Sequence, residues 1–222
     1  MARFGIQPRT RVLGISVPAL RSLAKEIGTD HRLAGELWRS GIHEARVLAT
    51  MVDDPARVTE AQADRWARSL DSWDECDQLC SNLLSGTPFA FAKAVEWAGR
   101  NPEFEKRAGF ALMAALSVHA KDAPDRAFER FLPVIRREAT DERNFVRKAV
   151  NWALRQIGKR NERLHAKAIA TAERISRMDS RAARWIAADA LRELRSDAVR
   201  ARLARSTTRG RSTPPERAAR RS

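Results

Sequence analysis

Cysteine occurs only twice in these 222 residues, as Cys76 and Cys80, so no disulfide framework is available. Two thiols four residues apart are also too few for a structural zinc site, and His31, His43 and His119 stand at no ligand spacing to them. No apolar run approaches the roughly 18 residues of a membrane-spanning helix. The opening MARFGIQPRTRVLG lacks the apolar stretch of a secretory leader, so a reducing cytoplasm is the expected compartment. Absent as well are the phosphate-cradling G-x-x-x-x-G-K-[ST], the dinucleotide fingerprint G-x-G-x-x-G and the nucleophile elbow G-x-S-x-G. Strict apolar–polar alternation of the kind a half-buried strand requires is missing throughout.

What is present is helical spacing and positive charge. Forty-two Lys and Arg face 28 Asp and Glu, a net +14, which suits a polyanionic partner or merely a soluble, basic surface. Residues 205–222 hold six of the arginines and one glutamate, so +5 belongs to that Ser-, Thr- and Pro-rich stretch and +9 to the rest. We expect residues 1–204 to fold as one domain and 205–222 to form a disordered basic tail.

Helix boundaries are marked locally. Ser16 before Val17-Pro18, and Asp30, Thr59 and Ser72 before their apolar runs, read as N-caps; Gly28 and Gly41 read as stops. Ser72 with Glu75 reads as a capping box opening a helix to Gly86, and Pro133 should kink or split the helix over 124–138. Helices are also expected near 42–53, 59–70, 88–100, 103–119, 141–160, 162–177, 180–195 and 197–204. A repeat favours a solenoid over a bundle. Phe104-Glu105-Lys106-Arg107-Ala108 returns 41 residues later as Phe145-Val146-Arg147-Lys148-Ala149, inside the period of about 40–47 residues typical of HEAT-type pairs. The expected architecture is an all-α, HEAT-like α-solenoid of antiparallel helix pairs whose concave face can hold an extended partner.

Three segments carry candidate chemistry. In SWDECDQLC, Trp73 and Asp77 are four apart and share a helix side. Cys76, Leu79, Cys80 and Leu83 define the core side, which leaves Asp77 about 100° away at its edge. Either Trp73 covers the core edge at a helix start, or it stands in a first turn whose free backbone N–H groups attract an anion. In NFVRKAVNWALRQIGKR, Val146, Val150, Ala153 and Ile157 form the apolar stripe, while Lys148, Trp152, Arg155 and Lys159 form a second, about 200° round. That second stripe suits a surface meeting sugar and phosphate, or a tryptophan shielded by basic stems. In the third segment, Lys106 and Arg107 sit in the first turns of their helix, with Arg107 at the repeat position of Lys148. Trp38, Trp66, Trp97 and Trp185 fall among apolar helix positions and are expected in the core.

In this order SWDECDQLC, RNPEFEKRAGFALM and FVRKAVNWALRQIGKRN resemble the DNA alkylation repair family of HEAT-like (AlkD-like) DNA glycosylases, over about Val12 to Leu203. The resemblance implies a right-handed solenoid with a basic concave face for duplex DNA. It also implies a monofunctional glycosylase removing cationic alkylpurines such as 3-methyladenine and 7-methylguanine. By motif position Asp77 matches the catalytic carboxylate, Trp73 and Trp152 the flanking aromatics, and Arg107 and Arg155 DNA-contacting arginines; Lys106, Lys148 and Lys159 join the expected phosphate contacts. No cofactor, metal or lyase step is implied, and the expected partner is alkylated double-stranded DNA, bound by a monomer away from membranes. A non-catalytic DNA-binding solenoid for damaged or branched DNA, and a protein scaffold with a basic face, are the other two readings. Relatives usually carry one or two helices before the point matching Val12, where only MARFGIQPRTR stands here; that bears on DNA affinity more than on chemistry.

Overall fold

The first helix begins where its own side chains satisfy its free N–H groups. Ser16 Oγ accepts from Ala19 N, Pro18 occupies the first turn, and helix α1 (Val17–Ile27) ends at Gly28 with φ of 74°. Asp30 caps α2 (His31–Arg39) through Leu33 N at 2.9 Å, and Gly41, also at positive φ, turns the chain into α3 (His43–Val52). Thr59 caps α4 (Glu60–Arg68). These elements belong to a computed structural model that describes residues 8–211, with side chains as far as Arg205.

Ser72 does start α5 (Trp73–Gln78), but the expected capping box does not form. The Ser72 hydroxyl makes no cap bond, and Glu75 is turned inward and fully buried, 3.5 Å from Arg46 and 3.6 Å from His43. The chain then continues to Gly86 as a π turn (Leu79–Leu83) and a 3-10 turn (Leu84–Gly86) instead of a regular helix. Next come α6 (Ala90–Ala98) and α7 (Glu103–His119). The segment over 124–138 is split into α8 (Asp125–Glu129) and α9 (Phe131–Arg137). The break falls at Arg130 because the Pro133 ring clashes with the carbonyl four residues back, that of Glu129. Helices α10 (Asn144–Gly158), α11 (Glu162–Ser176), α12 (Arg181–Leu194) and α13 (Asp197–Arg211) follow. The backbone of α13 runs through 205–211, where a disordered tail was expected; the rest of that tail, 212–222, lies outside the described residues.

Two rows of helices stack with apolar faces between them. One row is α5, α7, α10, α12, each packed on the next; the other is α6, α9, α11. Trp97, Phe110, Phe128, Phe131 and Leu154 are fully buried in the shared core. Successive members of a row are separated by a return helix, so they run parallel. Contacts that climb together along α10 and α12 fit this: Arg147 with Trp185, Asn151 with Asp189, Arg155 with Glu193. The 41-residue repeat is realised as side-by-side packing, with the Phe104 and Phe145 rings 5.6 Å apart. Among the described residues no strand forms beyond an isolated bridge between Arg11 and Ile42, and no helix is long and apolar enough to cross a membrane.

Gly109 sets the distance between the rows. A Cβ there would lie 2.3 Å from the backbone nitrogen of Ala98 and 2.8 Å from the carbonyl oxygen of Ala94, both in α6. Backbone cannot yield as a side chain can. Gly109→Ala is therefore expected to cost about 3 kcal/mol and lower Tm by on the order of 10 °C, which thermal unfolding followed by circular dichroism would show.

Candidate active site on the helix row

The parallel row gives its helices a common register. Asp77, Arg107, Lys148 and Trp185 are each the fifth residue of their helix, in α5, α7, α10 and α12. Side chains of quite different chemistry thus line up across one end of the stack.

Asp77 and Arg107 meet directly. Arg107 Nη2 donates to Oδ1 and Oδ2 of Asp77 at 2.9 and 2.8 Å, and Nε donates to Oδ1 at 3.2 Å. Its Nη1 donates to the Phe145 carbonyl at 2.7 Å, which ties α5, α7 and α10 together through one guanidinium. The same group lies 5.8 Å from the centre of the Trp73 ring. Arg107 is 5% exposed with four of its five N–H groups engaged, so its position is that of a residue holding Asp77 rather than of an open phosphate contact. Burial pushes the Asp77 carboxyl up, the Arg107 charge and hydrogen bonds pull it back, and the balance is upward. About a fifth of the Asp77 side-chain surface remains exposed.

In front of this pair lies a recess of about 210 Å³ lined by Trp73, Arg107, Phe145 and Lys148. Lys148 is exposed and makes no ion pair among the described residues, which leaves its ammonium available to an anion. Phe145 was not singled out in the sequence beyond its part in the repeat; here it supplies an apolar wall. Asp77 is held behind Arg107 rather than on the lining.

The remaining sequence candidates are placed differently. Trp152, one turn beyond Lys148, is half-buried against the core and does not line the recess. Lys106 is 8% exposed and paired with Glu138 at 2.7 Å and Asp141 at 3.4 Å, and it does not line the recess. Arg155 pairs with Glu193 and, at 3.5 Å, with Asp189; Lys159 pairs with Glu193 at 2.6 Å. These cations are neutralised within the fold by partners more than thirty residues distant, which helical periodicity does not register. Trp38, Trp66 and Trp97 are buried as expected. Trp185 is not: it is 38% exposed, with the Arg147 guanidinium 5.1 Å from its ring centre. Cys76 and Cys80 are buried, with their sulfurs near the carbonyls of Phe104 and Ala108, and burial pushes the Cys76 thiol well up.

Behind α5 lies a polar cluster that sequence inspection missed, because it joins two helices. Buried His43 donates from Nε2 to Asp74 Oδ2 at 2.8 Å and faces Glu75. Burial pulls the imidazole down, but the hydrogen bond and charge of Asp74 outweigh it, so its pKa is raised. Burial pushes Glu75 up to about 7, with Arg46 opposing and Asp71 reinforcing. The sign follows. A carboxyl whose folded pKa exceeds its unfolded value of 4.5 binds its proton more tightly when folded, so stability is full below about pH 4.5 and is lost as pH rises through 7. The loss is on the order of 3 kcal/mol. Glu75→Gln is expected to leave stability near that of wild type at pH 4.5 and to exceed it at pH 8, measured by urea titration at both values.

Comparison with known proteins adds to this geometry. The family model described as DNA alkylation repair enzyme matches residues 1–198. A solved structure described as belonging to a new family of proteins related to the HEAT-like repeat DNA glycosylases, with affinity for branched DNA structures, superimposes with a TM-score of 0.72 at 20% identity. The match covers 91% of this chain and 88% of that one, and shows a shared HEAT-like fold. A designed armadillo repeat protein in complex with a (KR)4 peptide aligns at a TM-score of 0.36 and 13% identity over 87% of this chain and 82% of its own, too loosely to carry weight. No curated protein matches in sequence.

Proposed function

Because this chain belongs to the DNA alkylation repair enzyme family, we propose that it is a monofunctional DNA glycosylase that removes cationic N3- or N7-alkylated purines, such as 3-methyladenine and 7-methylguanine, from duplex DNA. The observation that supports this most is the Asp77 carboxylate, gripped by Arg107 beside a recess with an aromatic ring on one side and a free lysine on the other.

The chemistry asks little of the protein. A purine alkylated at N3 or N7 already bears positive charge, so breaking its glycosidic bond returns the electron pair to the base and neutralises it. No general acid is needed for departure. Positive charge accumulates instead on the sugar, where a fixed carboxylate stabilises it. Arg107 occupies three acceptor directions of Asp77, and one direction of Oδ2 remains for the sugar or for the attacking water. Water adds at C1′ and gives up its proton, leaving an abasic site and a free base. The electron-rich face of Trp73 contacts the cationic nucleotide, worth about 0.5–2 kcal/mol. Lys148 takes a phosphate, and Phe145 packs on the sugar. The bulk of the base is not engulfed, because the recess is open. Trp152, Arg155, Lys159 and Lys106 act here through the fold that carries the site.

A second reading rests on the same ion pair. Arg107 neutralises Asp77 in the DNA-free protein, and a neutralised carboxylate suits a scaffold that binds damaged or branched DNA without cutting a bond. Incubation with duplex DNA methylated at N7 and N3 of purines, followed by chromatography of released bases, separates the two. Release of 7-methylguanine by wild type is the expected result. Salt-dependent binding with no release would assign the second reading instead.

A further inference from the structure

We propose that Trp185 and Arg147 form a second contact on the duplex, one helix spacing beyond the Asp77 recess, so that the bound DNA is held along the row as well as at the lesion. The inference rests on the DNA reading above and deepens it.

Trp185 is the one exposed tryptophan among the described residues; Trp38, Trp66 and Trp97 are buried, and Trp73 and Trp152 are half-buried. Trp185 is 38% exposed, and covering its ring with an occupant would return about 25 cal/mol for each Å² of apolar surface removed from water. Its register says which occupant. Trp185 is the fifth residue of α12, as Lys148 is of α10 and Asp77 of α5, so it continues the row that carries the recess. Adjacent helix axes lie about 8–10 Å apart, so the ring stands about three base steps from Lys148 along a duplex.

The charge around the ring matches a phosphate backbone. Arg147 lies over it at 5.1 Å, Lys148 is next in sequence, and Arg181 is one turn before it on α12, exposed to solvent. The acidic groups nearby have partners: Asp179 pairs with Arg184, Asp189 with Asn151, Arg155 and Arg192, and Glu142 accepts from Ser180 Oγ and Ala182 N while its charge also acts on Arg181. Arg147 makes one side-chain hydrogen bond among the described residues, from Nη2 to Asn144 Oδ1 at 3.3 Å; its Nε is buried, and Nη1 carries no hydrogen bond there, which leaves that end of the guanidinium for a phosphate. An exposed ring flanked by cations is a site for deoxyribose or an unstacked base with its phosphate. An acidic protein partner would satisfy the cations but gives no reason for the ring to sit in register with the recess.

The experiment measures duplex binding by fluorescence anisotropy on a 20-base-pair DNA with a central 7-methylguanine, and on DNA shortened to the lesion on the side of α12. Trp185→Ala is expected to weaken binding to the full duplex about tenfold, with Tm within a few degrees of wild type, and to bind the shortened duplex as wild type does. Trp185→Phe, which keeps a ring, retains affinity within about twofold. Arg147→Gln is expected to reduce the slope of log K against log salt by about 1. Wild-type affinity of Trp185→Ala for the full duplex, or an unaltered salt slope for Arg147→Gln, overturns the proposal while leaving the lesion site standing. Failure of the wild type to bind any DNA at about 0.1 M salt overturns both. Loss of self-association in Trp185→Ala with unchanged DNA affinity would assign the ring to a protein contact.

Discussion

Asp77→Asn is expected to lower the single-turnover rate of 7-methylguanine release by about 10²–10³-fold while duplex binding stays within about twofold. The amide is nearly isosteric with the carboxylate and keeps one oxygen for the Arg107 fork, so the loss of stability is confined to about 1–3 kcal/mol. What disappears is the negative charge that, in the proposed reaction, stabilises the developing sugar cation. The same logic sets the pH profile of the wild type. Burial raises the Asp77 carboxyl above its ordinary value, so protonation removes the charge earlier on acidification than it would from an exposed aspartate. Release should therefore decline on an acid limb displaced upward from about pH 3.8, and Asp77→Asn should show no such limb. Equal release by the two proteins across pH 5–8 would remove Asp77 from the chemistry.

The physical reach of each sequence signal explains which features could be read in advance. Caps at Ser16, Asp30 and Thr59 were legible because a helix start is settled within four residues. The 41-residue repeat was legible because stacking demands like residues at like positions, and the touching rings of Phe104 and Phe145 are that demand met. Trp73 and Asp77 were legible as a pair on one helix side. Their partners were not. Arg107 lies thirty residues from Asp77, and nothing local in either helix says that one guanidinium will fill the space between three of them. Glu75 misled for the opposite reason: a Ser followed three residues later by Glu has a strong local meaning, and His43 and Arg46 of α3 offered that carboxyl a deeper alternative. Arg155 and Lys159 were rightly placed on a cationic side of α10, but a helical wheel cannot see Glu193 of α12 waiting there. Trp185 reads as core on its own helix because its exposure depends on how far α10 reaches over it.

Arg107→Met is expected to be among the most destabilising single changes in the protein, by about 3–5 kcal/mol, because it strands the Asp77 carboxylate in a site that no longer offers a cation. It also releases the Phe145 carbonyl, loosening the start of α10 where Lys148 is carried. The cost is one of stranded charge more than of lost contact, and a double-mutant cycle separates the two. Asp77→Asn combined with Arg107→Met leaves neither charge buried alone. Its stability should recover most of the loss, ending within about 2 kcal/mol of wild type, although its base release stays as low as that of Asp77→Asn or lower. Urea titrations of the four proteins at pH 7 supply the coupling energy. A double variant as unstable as Arg107→Met would mean that the guanidinium is needed for its packing and its bond to Phe145, and that Asp77 is held in place by something other than charge. Recovery of stability without recovery of activity would show that the pair is not needed for the fold, since a buried ion pair contributes little net stability over an apolar one, and would leave the proposed chemistry at Asp77 as the reason for its presence.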